Sequence, residues 1–181
     1  VNTVWRETGR YVGTNTDGIG ALRALSGLLP LEGARVLVLG AGGTARAIVA
    51  SLLESGAEIE LWNRTPTRAL ELVESFESQQ LSVREDIVES TAQVIVNATS
   101  VGLGGDGCLI DDEEFLRGRV VLDCIGQPPV TPLIRKARRV GAGALTGRDL
   151  WLHQGAAQAS IWLGETVRYE ELRAFLPPID V

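Results

Sequence analysis

Gly40, Gly42 and Ala45 stand at the spacing G-x-G-x-x-A, directly behind the apolar run Val36-Leu-Val-Leu39 and ahead of a helical pattern. That order is the chemistry of a pyrophosphate-binding turn. Gly40 permits a tight turn at a strand end, Gly42 lets a phosphate approach bare backbone, and Ala45 lets helix and strand pack closely. The helix start at Gly43 and Thr44, with Ala41 between the glycines, offers free N–H groups and a partial positive charge to the phosphates. No Gly-Lys-Ser/Thr follows, which argues against a P-loop. The alternative is a glycine-rich β–α turn that holds nothing.

The end of the next strand chooses between dinucleotides. An Asp or Glu there accepts from a ribose 2′-OH. This chain instead has Asn63-Arg64-Thr65-Pro66-Thr67-Arg68. Arg64 and Arg68 lie four apart across a helix start, so both guanidiniums can meet one 2′-phosphate, with Asn63 and Thr65 as further donors. The planar fork of arginine suits phosphate oxygens. NADP is therefore the expected cofactor, against the alternative of a solvated, N-capped helix with exposed arginines.

Other polar residues stand at the right places with less specific meanings. Asn97-Ala-Thr-Ser100 ends a later strand, where Thr99 and Ser100 suit close passage of a ribose and nicotinamide; a plain polar turn fits equally well. Asp17, after Gly13-Thr-Asn-Thr16, reads as a helix N-cap. Gln154 shares an apolar helical stripe with Leu150, Ala157 and Ile161, so its amide needs a partner, structural or ligand. Trp151 and Trp162 read as packing, and His153 as a surface or hinge residue with no metal partner in sight.

The elements that must position these residues alternate. After a short irregular start come a helix over 17–29, a strand at 35–39, a helix over 44–55, a strand at 58–62 and a helix over 66–76. Strands at 81–83, 94–97 and 120–123 follow, then a helix from Pro132, a sixth strand at 142–145, a long helix capped by Asp149 and running to Gly164, and a last short helix over 170–175. Strands apolar throughout imply a parallel sheet covered on both faces. The expectation is an α/β, Rossmann-like, doubly wound sheet of six strands in the order 3-2-1-4-5-6, with ligand at the switch between strands one and four. The loop 102–107 is glycine-rich and could cover a ligand.

Composition sets the remaining bounds. The chain has 181 residues and a net charge of −6, which argues against a nucleic-acid surface. No apolar run approaches the roughly 20 residues of a membrane span. Cys108 and Cys124 have no metal spacing, and no metal is expected. A reducing cytoplasm is the default. The sequence contains no methionine and a single lysine, Lys136. It reads as the C-terminal part of a longer protein.

Together these runs resemble the shikimate dehydrogenase family. Asn-Thr-Val at Asn2, Asn-Thr-Asp-Gly at Asn15, Gly-Ala-Gly-Gly at Gly40, Asn-Arg-Thr at Asn63, Asn-Ala-Thr-Ser at Asn97 and Thr-Pro-Leu at Thr131 occur in the family's order and spacing. The Gln154 helix does too. The resemblance implies that Asn2, Asp17 and Gln154 bind substrate, with Asp17 also the aspartate of a Lys–Asp catalytic dyad. It implies NADP at Gly40–Thr44 and Asn63–Arg68, with Gly147 beside the nicotinamide and Cys124 touching the cofactor through its backbone.

Three departures stand out. The dyad lysine belongs to the family's N-terminal domain; Lys136 sits on a helix flanking the sheet. Gly126, at a position facing substrate, stands where the family usually has tyrosine. Leu103 and Leu150 replace methionines, keeping volume.

The implied organisation is 1–16 as the end of a substrate domain and linker, 17–148 as the nucleotide domain, and 149–181 as helices packing back toward the substrate domain. The implied reaction is NADP-dependent interconversion of 3-dehydroshikimate and shikimate, with these residues binding NADP but not turning over alone. A small-molecule substrate is the expected partner, with a homodimer left open and no nucleic acid or membrane. A quinate-type dehydrogenase and a non-catalytic NADP-binding regulator remain the alternatives.

Overall fold

The computed structural model describes residues 1–176. The chain opens with an antiparallel hairpin, β1 (Thr3–Glu7) and β2 (Arg10–Thr14). It continues through α1 (Asp17–Ser26), β3 (Arg35–Leu39), α2 (Gly43–Glu54), β4 (Glu58–Trp62), α3 (Pro66–Glu74), β5 (Leu81–Val83) and β6 (Val94–Asn97). Two 3-10 turns, at Leu103–Gly105 and Glu113–Leu116, precede β7 (Val120–Asp123), α4 (Pro132–Arg139), β8 (Gly143–Leu145), α5 (Gly147–Leu163) and α6 (Tyr169–Arg173).

The main sheet has six parallel strands in the order β5-β4-β3-β6-β7-β8, the predicted 3-2-1-4-5-6. Strand β3 divides the core by its alternation. Val36 and Val38 face α1, α2 and α3, joining Leu25, Ile48, Leu52 and Leu72. Leu37 and Leu39 face the other way and join Ile95, Val121, Ile134 and Ala137 under α4. All four side chains are fully buried, as central parallel strands covered on both faces require.

The structure departs from expectation in four places. The start is not irregular. Thr3-Val-Trp-Arg-Glu7 and Arg10-Tyr-Val-Gly-Thr14 pair across a two-residue turn, Thr8-Gly9, both at positive φ (45° and 84°). That is the backbone a tight hairpin of this hand needs. Helix α1 ends at Ser26, and its buried residues are Gly18, Gly20, Ala21, Ala24 and Leu25, while Leu28 is exposed.

The small residues have a packing reason. A Cβ at Gly18 would lie 2.2 Å from the Ala47 carbonyl oxygen, and one at Gly20 2.8 Å from Gln154 Cβ. Helix α1 is wedged between α2 and α5. The cap of α5 is Thr146, not Asp149. Asp149 sits three residues inside and closes a capping box, its Oδ2 accepting from Thr146 N at 2.7 Å. Likewise Thr16, not Asp17, precedes α1 as its cap residue.

Among the described residues no helix is long and apolar enough to cross a membrane. No group of three or more His, Cys, Asp or Glu side chains among them is placed to hold a metal ion.

Candidate functional site: a glycine turn opening on a polar cleft

The glycine turn joins β3 to α2 at the C-terminal end of the sheet. Its glycines have different reasons to be glycine. Gly40 has φ +110°, and a Cβ there would stand 2.8 Å from the Ala98 carbonyl oxygen of the neighbouring strand end. Gly42 and Gly43 are exposed, and a Cβ on either would meet nothing within 4 Å. Packing asks for no glycine at these two positions; bare backbone facing open space is what an approaching phosphate needs. Gly42 is the cap residue of α2, with no side chain capping the helix and no acidic residue in its first turn. The free N–H groups of a three-turn helix thus point outward. Ala41 is half-buried against the core, and Ala45 is fully buried between helix and sheet.

Gly40 N–H donates to Trp62 O at 2.7 Å, which ties this turn to the end of β4. The next residues are Asn63, Arg64 and Thr65. Asn63 Nδ2 donates to Thr65 O at 2.9 Å and shapes the loop. Arg64 and Arg68 are both exposed and make no ion pair among the described residues. Thr65 caps α3 in position only, since its hydroxyl makes no capping bond. Two uncommitted guanidiniums and an uncapped helix start therefore flank the glycine turn.

A cleft of about 1130 Å³ runs from Thr44 past the ends of β6 and β7 to α5. Asp17, Thr44, Thr99, Cys124, Gly126, Gly147 and Gln154 all line it. At its inner end lies a polar cluster. Asn2 Oδ1 accepts from Thr16 N at 2.9 Å, which fixes the amide orientation because a backbone N–H can only donate. Asn2 Nδ2 then donates to Asp17 Oδ1 at 2.9 Å. Thr44 Oγ1 donates to Asp17 Oδ2 at 3.1 Å. Gln154 Oε1 accepts from Thr16 Oγ1 at 3.0 Å. The Asp17 carboxylate is thus held on both oxygens, and one holder, Thr44, belongs to the glycine-turn helix. Asp17 is more than the start of α1: it joins the turn to the polar cluster at the inner end of the cleft. The Gln154 amide oxygen finds its partners in Thr16 and, at 3.4 Å, in Asn2 Nδ2, and no hydrogen bond among the described residues engages its Nε2.

The floor between these ends rests on a buried network. Asn97 Nδ2 donates to Asp123 Oδ1 at 3.0 Å, Ile125 N donates to the same oxygen at 3.1 Å, and Thr131 Oγ1 donates to Oδ2 at 2.5 Å. Asn97 Oδ1 accepts from Thr99 Oγ1 at 2.7 Å, so the Asn97–Ser100 turn is built from inside. Burial pushes the Asp123 carboxyl above the ordinary carboxylate range, and the bonds from Thr131, Ile125 and Asn97 oppose it. Ser100 is exposed and stands outside the cleft lining. The Cys124 thiol is pushed far up by burial, with Asp123 and Asp17 adding to the shift. Burial thus favours the protonated thiol over the thiolate. Gly147 lies so near the opposite wall that a Cβ would sit 2.2 Å from Ile125 O; a Cβ on Gly126 would meet nothing within 4 Å.

The cleft also contains residues that sequence reasoning passed over. Trp151, read as packing, is 54% exposed and lines the cleft together with Leu103 of the glycine-rich loop. The signal was available: Trp151 lies three residues before Gln154, on the same helix face. Trp162 donates through Nε1 to Val4 O at 3.2 Å and ties α5 to the hairpin. Arg148 and Asp123 were not singled out either. Lys136 is remote from the cluster, its Nζ donating to Ile110 O at 2.6 Å and Asp111 O at 3.0 Å.

His153 is not a surface residue. It is half-buried, its ring centroid 4.1 Å from that of Tyr169 on α6. Burial, helped by the Arg23 charge, lowers its pKa, against the opposing pull of Asp149 and Glu170. A lowered folded value means that the unfolded chain binds the proton more readily. The stabilisation is complete above the ordinary value of about 6.5 and is lost as pH falls through the folded one. Thermal melts should show a Tm that falls between pH 7.5 and pH 5, with a smaller fall in His153→Phe.

The model of the shikimate / quinate 5-dehydrogenase family matches residues 23–103. Shikimate dehydrogenase (NADP(+)) of Aquifex aeolicus (strain VF5) is 39% identical over 171 residues, which cover 93% of this chain and 62% of that protein. The solved structure of shikimate 5-dehydrogenase from Thermus thermophilus, in complex with NADP(H) and shikimate, superposes with a TM-score of 0.83 at 35% identity. It covers 94% of this chain, which in turn covers 65% of it. The ligand-free 5-ketofructose reductase of Gluconobacter sp. strain CHM43 gives the same TM-score at 31% identity, covering 92% of this chain and 64% of its own. The chain spans about three fifths of the length of the curated relatives it matches. Sheet order, glycine turn and these likenesses agree: the chain belongs to the shikimate / quinate dehydrogenase family.

Proposed function

We propose that this chain is the NADP-binding part of a shikimate dehydrogenase that interconverts 3-dehydroshikimate and shikimate. The observation that carries the reading is the pairing of two glycines that packing does not require with two arginines that make no ion pair among the described residues. Gly40 to Thr44 would hold the pyrophosphate through backbone N–H groups, while Arg64 and Arg68, aided by Asn63 and Thr65, would hold the 2′-phosphate. Thr99, Gly147 and the backbone at Cys124 would flank the nicotinamide at the switch point, with Ser100 at the rim. Bound there, the reduced nicotinamide supplies a hydride to the ring carbonyl of the substrate.

The chain's own residues then orient the substrate. Asp17, fixed by Asn2 and Thr44, accepts a ring hydroxyl and orients the acid–base lysine of the dyad. That lysine is not among these residues, because Lys136 is committed elsewhere. Gln154 donates to a second hydroxyl and Asn2 completes the cluster. On this reading residues 1–16 and 149–181 form the face turned toward the substrate-binding half; 177–181 lie outside the described residues. The setting is the cytoplasm. A quinate-type preference is the second reading, favoured by the open space over Gly126.

Titration with NADPH and NADH tests the cofactor assignment. NADPH should bind at least about tenfold more tightly, and replacing Arg64 and Arg68 together by alanine should cost about 100-fold for NADPH and little for NADH. Equal affinities for the two nucleotides would sink the arginine clamp. The chain alone should not oxidise shikimate; turnover would show that its acid–base group lies elsewhere.

A further inference from the structure

Trp151 lines the cleft wall with Gly147, Leu150 and Gln154, yet remains 54% exposed. Among the described residues no hydrogen bond and no cation engages its ring. Trp162, the other tryptophan of α5, is anchored by its Nε1 bond to Val4 O; the Trp151 indole has no such bond. The guanidinium–aromatic pairs join Arg46 to Phe76 and Arg119 to Phe115, and leave Trp151 aside although Arg148 precedes it on the same helix. A bare indole at the wall of a cleft costs hydrophobic free energy that a flat ligand would recover.

Its position selects the ligand ring. Trp151 follows Gly147 by four residues, one helical turn or about 6 Å up α5, and precedes Gln154 by three. Side chains of a helix lean back toward its N-terminus. The indole therefore leans toward the turn of Gly147 and away from Gln154 and the polar cluster. That end of the cleft, with Gly147, Cys124 and Thr99, is where the nicotinamide lies on the dehydrogenase reading.

The two forms of that ring differ in charge. NADP+ has a planar pyridinium cation, and NADPH has a neutral dihydropyridine. The face of an indole is the negative end of its quadrupole and attracts a cation, more strongly where water is displaced. Asp17 and Arg148, the acidic and the cationic side chain of the cleft lining, act on the same charge with opposite signs. We propose that Trp151 is a specificity residue for the oxidation state of the nicotinamide: its indole stacks on the ring and favours NADP+ over NADPH. The proposal rests on the dehydrogenase reading and adds to it a bias in the bound redox couple. Tighter holding of the oxidised form makes the bound reduced nucleotide a stronger hydride donor.

The test titrates the full 181-residue chain calorimetrically with NADP+, with NADPH and with adenosine 2′,5′-bisphosphate, which has no nicotinamide. Trp151→Leu should lower the ratio of NADP+ affinity to NADPH affinity about fivefold, and Trp151→Phe should lower it by less. The bisphosphate should bind all three proteins equally. The NADP+ complex of the unaltered chain should also show a long-wavelength charge-transfer absorption tail that Trp151→Leu removes. An unchanged ratio in Trp151→Leu would overturn the proposal, whether both affinities fall together or neither falls. Weaker binding of the bisphosphate in Trp151→Leu would overturn it too, assigning the indole to the folding of the nucleotide turn. Failure of both NADP+ and NADPH to bind the unaltered chain would instead strike the dehydrogenase reading, and this proposal with it.

Discussion

Gly42→Val is expected to abolish nucleotide binding while leaving the protein as stable as before. The two halves of that expectation have separate causes. Gly42 has φ −89° and ψ −171°, extended backbone that valine adopts readily, and its Cβ would meet nothing within 4 Å. No clash follows, and the lost preference of a cap position for glycine over valine is set against restriction of the unfolded chain, so stability should change little. The same side chain would fill the space a pyrophosphate must enter. Each lost charge-assisted bond is worth about 1.5–3 kcal/mol, so affinity for NADPH should fall at least about 100-fold. A thermal melt and a nucleotide titration on the same sample check both halves. Unchanged affinity would mean that the space over Gly42 is not where phosphate goes.

Gly147→Ala is expected to do the reverse and injure the fold first. Its Cβ would sit 2.2 Å from Ile125 O and 2.3 Å from the carbonyl carbon, both backbone atoms. No side chain can swing aside to relieve the contact, so α5 or the Ile125–Gly126 segment must move. Overpacking of this kind costs about 3 kcal/mol, or roughly 6–12 °C in Tm for a domain of this size. Urea denaturation should show a lower midpoint with an unchanged slope. Nucleotide affinity should drop as well, because the displaced segment forms the cleft wall. Gly126→Ala is the control: its Cβ has open space, and the midpoint should stay put.

The sheet was legible because its signals are local. Val36-Leu-Val-Leu39, Val94-Ile-Val-Asn97 and Val120-Val-Leu-Asp123 are too short and too apolar for anything but strands buried on both faces, and their order follows from the crossover rules. The hairpin was missed because Thr3–Thr14 carries charged and aromatic residues on an exposed ribbon, with no apolar face to give it a period; only Thr8-Gly9 marked it. In α1 the reading favoured large residues, yet close approach of α2 and α5 selects Gly18, Gly20 and Ala21.

The candidate site divides along the same line. The glycine turn and the arginine loop lie within single segments, so spacing alone exposed them. Asp17, Asn2 and Gln154 meet across 152 residues of chain, and no sequence pattern states that meeting. Asp123 gave no sign of its network with Asn97 and Thr131, because its partners come from a neighbouring strand and a following helix.

The most direct measurement is a crystal structure of this chain grown or soaked with NADP+. It should show the pyrophosphate against the amides of Gly42 to Thr44 and the 2′-phosphate between the guanidiniums of Arg64 and Arg68. A nucleotide bound elsewhere, or none at that turn while the arginines remain in solvent, would contradict the account.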